Sequence, residues 1–436
     1  MTPLPARVLP DMAAALCLLF ILLVPFAAAG LAVINTGLGR ARNAAHMMLS
    51  SLCVFALGAI VFFVVGFAWE GYPGGPAYEF ILQGKPLNWI AAGQFFFRGL
   101  PLDGSPASLA ALLGMMSAGF AAVIPLGSGA DRWRLGAACV STAILAGWTY
   151  PLFAHWVWGG WLAQLGTNYG LGQGFIDSGG AAPVQAVGGI TALAVTWVLG
   201  PRRGKYTADR MPMAIPGHHA VLVLLGCFLV WLGWIGLDCA GAMLFTAAEA
   251  GRSVLIAVNA TVAAAAALLA AAAITRFRFG KPDASLCANG WVSGLVASSA
   301  GCAVMPPAAA MIVGLVAGAL VTYTVELLEL HLTVDDPGGS ISVHLIGGIW
   351  GVLAVAWLAK VPAGANGSGQ WLAQLAGIAS LLGFVLPLTY VLTRLLNHFY
   401  PLRVAAEGER QGLDLHELGA GAYPDFVSHN DDFLQR

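Results

Sequence analysis

An apolar run long enough to cross a lipid bilayer recurs eleven times along this chain, each ending in a short polar break. A membrane-spanning helix needs about 20 mostly apolar residues. The runs fall near residues 12–34, 44–68, 107–127, 136–157, 178–200, 219–245, 252–275, 284–302, 308–330, 340–359 and 370–397. They lack the short period-two alternation of membrane barrel strands. The expected fold is therefore an all-α integral membrane protein with eleven transmembrane helices. Charge content agrees: 9% of the 436 residues are Asp, Glu, Lys or Arg, against about 25% in soluble domains. The third run has the softest edge, because residues 86–106 are also fairly apolar. Either that helix starts earlier or the stretch is a re-entrant piece on the outer side. The first run follows Arg7 and has the length of a full span, so it reads as a helix rather than a cleaved leader.

An odd number of spans puts the two ends on opposite sides, and basic residues decide which is which. With the N-terminus outside, 15 of the 20 Lys and Arg lie inside; the other five are Arg7, Lys85, Arg98, Arg252 and Lys360. The expected placement is a multi-pass protein of the cytoplasmic (inner) membrane, N-terminus out and C-terminus in. Residues 1–400 form the membrane domain. Residues 401–436 form a cytoplasmic tail, polar with Glu407, Glu409, Arg410, Asp414 and Glu417, able to form a short helix that docks on the inner face. A net charge of −1 argues against a nucleic-acid partner. The seven cysteines sit in apolar stretches without CxxC or metal spacing. No metal-ligand cluster, phosphate loop or nucleophile motif is present, so neither a cofactor nor an enzyme is expected. His218 and His219 form a loop pair suited to helix capping.

One motif is written twice. The fifth span opens with Asp177-Ser-Gly-Gly and continues through Gln185 to Gly188-Gly189. The tenth opens with Asp336-Pro-Gly-Gly and continues through His344 to Gly347-Gly348. Both read D-x-G-G-x-x-x-V-[Q/H]-x-x-G-G. Five spans per half is an odd number, so the halves, about 12–200 and 219–359, cross the membrane in opposite directions, with a final helix at 370–397. That is an inverted-topology repeat, which handles its substrate at the repeat interface. The acid at each helix start can accept backbone N–H bonds. Eight residues on, about 12 Å deeper at about 1.5 Å per residue, Gln185 and His344 approach the membrane centre from opposite sides. The glycine pairs keep the two helices slim enough to cross closely. A polar residue at that depth marks a functional site; the alternative is a pair that only hydrogen-bonds across a helix contact.

These residues resemble the ammonium transporter family (Amt/Mep/Rh). The likeness runs nearly the whole length. It rests on Asp335-Asp336-Pro337-Gly338-Gly339 through His344 and Gly347-Gly348, and on Ala154-His155-Trp156-Val157-Trp158-Gly159-Gly160. It also rests on Gly233-Trp234-Ile235-Gly236-Leu237, on Asn289-Gly290 through Gly294-Leu295-Val296, and on Arg403 through Glu409-Arg410-Gln411-Gly412-Leu413-Asp414. The resemblance implies a homotrimer with one pore per protomer, embedded in the lipid bilayer, with ammonium or ammonia as substrate. It also implies a tail that packs on the cytoplasmic face, where a PII-type signalling protein binds many members. Trp158 matches the tryptophan of an outer aromatic cage, and Asp177 an acid that organises the site. His344 matches the second of two pore histidines.

Four matched positions depart from the pattern. Gly241 stands where the family has a serine at the mouth, and Gln185 where it has the first pore histidine. Leu237 replaces one of two gating phenylalanines. The other aligns with Ser117 without a gap, or with Phe120 after a three-residue deletion. Beyond these four, Asp238 stands where the family usually has an amide. Imidazole titrates near neutrality and an amide does not, so Gln185 orients and solvates but relays no proton. Two readings follow: a less discriminating pore for ammonium, ammonia or another small solute, or a non-conducting, ammonium-binding sensor.

Overall fold

The computed structural model describes residues 9–360 and 369–423. Its principal helices are α1 Asp11–Leu38, α2 Ala41–Glu70, α3 Pro106–Gly129, α4 Leu135–Trp158, α5 Ala181–Leu199 and α6 Ala220–Phe245. They continue as α7 Ala250–Phe279, α8 Ala284–Ser299, α9 Pro307–His331, α10 Ile341–Leu358 and α11 Gly369–Phe399. Among the described residues, ten helices are long and apolar enough to span a membrane. The exception is α8, a 16-residue helix where the sequence suggests a span over 284–302. It stops early because its last carbonyls turn elsewhere. Ser299 O and Ala300 O accept from Gly179 N and Ser178 N, each at 3.0 Å.

The apolar stretch before α3 is neither an early helix start nor a re-entrant helix. Residues Ala77–Leu82 (β1) and Lys85–Ala91 (β2) form an antiparallel hairpin. Gln83 and Gly84 both have positive φ, as the favoured two-residue hairpin turn requires.

Small residues set the helix packing. In lipid, close backbone approach replaces hydrophobic burial as the source of helix association. α1 and α6 touch through Gly30, Gly37, Gly226, Gly233 and Gly236, where any Cβ would collide with the facing helix. α7 presents Ala263, Ala267 and Ala271 to Gly290 and Gly294 of α8 and to Gly314 and Gly318 of α9.

One end of the bundle is rich in arginine and carries a buried ionic network. Asp335 accepts from Arg202 N, Nε and one Nη at 2.8, 3.0 and 3.0 Å. Arg202 also reaches Asp131 at 3.1 Å, while Arg132 donates to the carbonyls of Asp335, Ala130 and Gly200. The tail closes over this face, with a short helix at Ala406–Gln411. Asp414 accepts from Ala45 N and His46 N at 3.1 and 2.7 Å, and Glu417 from Leu135 N at 3.0 Å. Two tail carboxylates thus sit at the starts of α2 and α4, where unpaired N–H groups favour anions. The end of the tail, residues 424–436, lies outside the described residues. His219 caps α6 by accepting from Leu222 N at 3.2 Å, and His218 contacts Gly39 O and the Tyr423 hydroxyl.

Docking of the tail is expected to weaken in acid. Burial pushes the Glu417 carboxyl up, but His46, 2.8 Å away, and the Leu135 N–H outweigh it and hold it below its ordinary 4.5. A carboxyl held low when docked contributes fully above that ordinary value. The contribution disappears as pH falls through the docked-state value. Limited proteolysis in detergent should therefore cut the wild-type tail faster as pH drops below about 4.5. Glu417→Gln should already be cut faster at neutral pH. Equal rates for the two proteins at neutral pH would exclude this role.

Candidate functional site

Both copies of the motif fold the same way. Asp177 accepts from Gly180 N, Ala181 N and Ala182 N at 2.8, 2.9 and 2.6 Å. Asp336 accepts from Ser340 N and Ile341 N at 3.1 and 2.8 Å, and from the Ser128 hydroxyl at 2.6 Å. Gly180 and Gly339 take φ of +85° and +69°, left-handed values that suit glycine. Each helix then opens with a six-residue π-helical stretch, Ala181–Ala186 and Ile341–Ile346. Gln185 and His344 lie inside these stretches. Such wide turns concentrate at functional sites.

The two copies contact each other reciprocally. A Cβ on Gly189 would lie 2.5 Å from Leu345 N, and one on Gly348 would lie 3.2 Å from Ala186 Cβ. Gly189 is four residues past Gln185, and Leu345 one past His344. Gly348 and Ala186 hold the same places with the copies exchanged. A local two-fold axis produces this pattern.

The crossing brings Gln185 and His344 together. His344 Nδ1 lies 2.9 Å from Gln185 Oε1, and the two residues are 1% and 0% exposed. Since that oxygen only accepts, the contact puts the ring proton on Nδ1 and leaves Nε2 as an acceptor. Gln185 Nε2 is buried without a partner. The pair therefore offers one free donor and one acceptor. Trp234 stacks near the His344 ring, centroids 6.5 Å apart, and donates to Ser299 Oγ at 2.7 Å. Phe120 meets Trp234 edge-on at 5.5 Å.

At the hairpin end, Trp158 donates to Asp177 O at 2.9 Å and stacks flat on Phe245, with centroids 4.1 Å apart. A cleft beside them is lined by Glu70, Tyr72, Asn88, His155, Trp158 and Phe245. His155 ties three elements together through Glu70 O at 2.6 Å and Asn88 Oδ1 at 2.8 Å. Among the described residues, no group of three or more His, Cys, Asp or Glu is arranged for a metal.

A model of the Ammonium Transporter Family matches residues 15–423. The chain belongs to the ammonium transporter family. Ammonium transporter Amt2 of Archaeoglobus fulgidus is 36% identical over 427 residues, covering 93% of this chain and 86% of its own. Ammonium transporter Amt2 of Haloferax mediterranei is 31% identical, covering 94% and 89%. Among solved structures, a Sensor Amt Protein superposes with a TM-score of 0.84 at 29% identity, covering 93% of this chain and 98% of its own. Candida albicans Mep2 gives 0.78 at 23% identity over 91% and 87%, a likeness of fold. The family is one of transporters, in keeping with the absence of enzyme motifs from the sequence.

Against the Amt pattern, the structure separates Ser117 from Phe120. Ser117 is buried beside the Tyr150 hydroxyl. Phe120, nearly one turn on, reaches Trp234 above His344. Leu237 is buried on α6. Gly241 has a steric reason to be glycine: a Cβ there would lie 2.5 Å from Ser178 O. Phe245 is the contact that sequence reasoning missed. Its signal was present, since Leu237, Gly241 and Phe245 are spaced by four along one helix and share a face. Trp234 was visible inside its motif without an assigned role.

Proposed function

We propose that this Amt-family chain conducts ammonia, delivered as ammonium, through a pore that passes the Gln185–His344 pair. The carrying observation is that pair's chemistry. Ammonia has N–H donors and one lone pair. It can accept from Gln185 Nε2 and donate to His344 Nε2 at once. Ammonium has no lone pair and would meet the Gln185 donor unfavourably. The pair so favours the neutral species, while Trp158 at the mouth attracts the cation. Phe120 supplies half of the gate, and Leu237 the other half without an aromatic ring. The same proposal includes an N-out, C-in orientation in the cytoplasmic membrane, a homotrimer, and a PII-type partner at the tail face. The Amt likeness and the arginine bias of that face support these parts.

A second reading has its own support. Phe245 covers one face of Trp158 at 4.1 Å, which takes away a face that a cation would use. The 29% likeness to a Sensor Amt Protein points the same way. In that reading ammonium binds and little passes.

Proteoliposomes decide between them. An ammonium step should produce lumen alkalinisation, read with a trapped dye, and His344→Ala should reduce its rate about tenfold or more by removing the buried acceptor. Measurable ammonium binding with no flux above protein-free vesicles would favour the sensor. Undiminished flux in His344→Ala would remove the pair from the pathway.

A further inference from the structure

Asp238 is a fully buried carboxyl on α6 whose two oxygens make no hydrogen bond. It follows Leu237 and lies nearly one turn before Gly241, beside the Asp177-Ser-Gly-Gly turn. A side chain at Gly179 would collide with Asp238 Oδ1. Ser299 Oγ sits next to the carboxyl, but its proton goes to Leu295 O at 3.0 Å and it already accepts from Trp234. Ser178 Oγ is also buried without a partner. The titratable neighbours are Asp177, Cys239 and Cys302, none of them a cation. An unpaired carboxylate in such a place is costly unless it holds a proton or meets a cation.

The repeat supplies a control for packing. In the second copy, Gly338 occupies the place of Gly179, and Asn35 of α1 lies against it, with Oδ1 3.0 Å from where a Cβ would stand. Asn35 and Asp238 are thus repeat equivalents, on the helices that open the two halves. An amide fills the site in one half. The carboxyl in the other half brings what an amide lacks, the capacity to take up a proton.

We propose that Asp238 is the proton acceptor for ammonium arriving at the Trp158 mouth, an inference that rests on the conducting reading above. One N–H bond of ammonium breaks, and its electron pair stays on nitrogen. The proton forms an O–H bond on an Asp238 oxygen, and ammonia moves on to Gln185 and His344. While protonated, the carboxyl can donate to the remaining lone pair of Ser299 Oγ. The proton then returns to water at the mouth, because Gln185 relays none onward.

The test compares ammonium-driven lumen alkalinisation for wild type and Asp238→Asn over a range of external pH. The variant should run about tenfold or more slower where ammonium predominates, the scale of a lost general base. It should approach wild type as rising pH supplies free ammonia. A deficit equal at every pH, or no deficit, overturns the inference and leaves ammonia conduction standing. Infrared difference spectra give a second measurement on the unaltered protein. Ammonium should raise a protonated-carboxyl C=O band that is missing from Asp238→Asn; no such band in wild type overturns the inference. A wild-type protein without ammonium flux overturns the conducting reading and this one together.

Discussion

Replacing Arg202 with methionine is expected to destabilise the folded chain by about 3–5 kcal/mol, the usual cost of removing one partner from a buried ion pair. Arg202 is 4% exposed, and the carboxylates it serves, Asp335 and Asp131, are 1% and 2% exposed. Burial pushes the Asp335 carboxyl up, yet the charges of Arg132 and Arg202 outweigh it and hold Asp335 below the usual carboxylate range. Without the guanidinium, two donors to Asp335 are lost together, the backbone N–H of residue 202 stays, and Arg132 remains only at 3.9 Å. Lysine should not rescue, because one ammonium cannot reproduce the guanidinium fork that meets both oxygens of Asp335. The double change Arg202→Met with Asp335→Leu should recover part of the loss, since it removes the stranded charge as well. Thermal unfolding in detergent, followed by tryptophan fluorescence, reads these variants beside Asp335→Leu alone. A double variant as unstable as the sum of the singles would show that the two residues do not act as a pair.

Residue by residue, the fold was legible where a single physical rule governs and obscure where two compete. Lipid forces backbone groups into helices, so apolar length located ten helices closely and the eleventh to within a few residues. α8 ended early because its carbonyls found Ser178 and Gly179, partners over a hundred residues away. The motif glycines announced close crossing, and Gly189 and Gly348 make it. The π-helical openings left no mark in the sequence, because Pro183 and the glycines before it are equally compatible with a plain helix start. The hairpin was hidden because its strands are nearly as apolar as a span; Gln83-Gly84 was the overlooked turn signal. At the site, the duplicated spacing was enough to bring Gln185 to His344. It could not show that Phe245 lies flat on Trp158, since a stack between two helices has no spacing of its own. Gly241 looked like a lost serine. In the structure it is a position with no room for one.

Restoring the missing imidazole, Gln185→His, is expected to change the kind of transport as well as its rate. In the present chain His344 Nδ1 gives its proton to an amide oxygen that has no means of passing one on. A histidine at 185 would accept that proton on one nitrogen and hold another on the second. Two imidazoles in contact could then transmit charge across a site proposed here to favour the neutral molecule. The amide and the ring are both planar and similar in size. On solid-supported membranes, ammonium-evoked charge movement should rise by about tenfold or more, equivalent to about 1.4 kcal/mol off the barrier. Lumen alkalinisation per ammonia carried should fall, since each proton relayed inward cancels the one that ammonia takes up from the lumen. The two readouts separate the possible controls. If charge movement stays at the wild-type level while Phe245→Ala raises both signals, the stacked mouth limits entry, and the pair below it is a filter that substrate seldom reaches. If Gln185→His alone raises charge, the amide at 185 is what limits charge movement through this Amt scaffold.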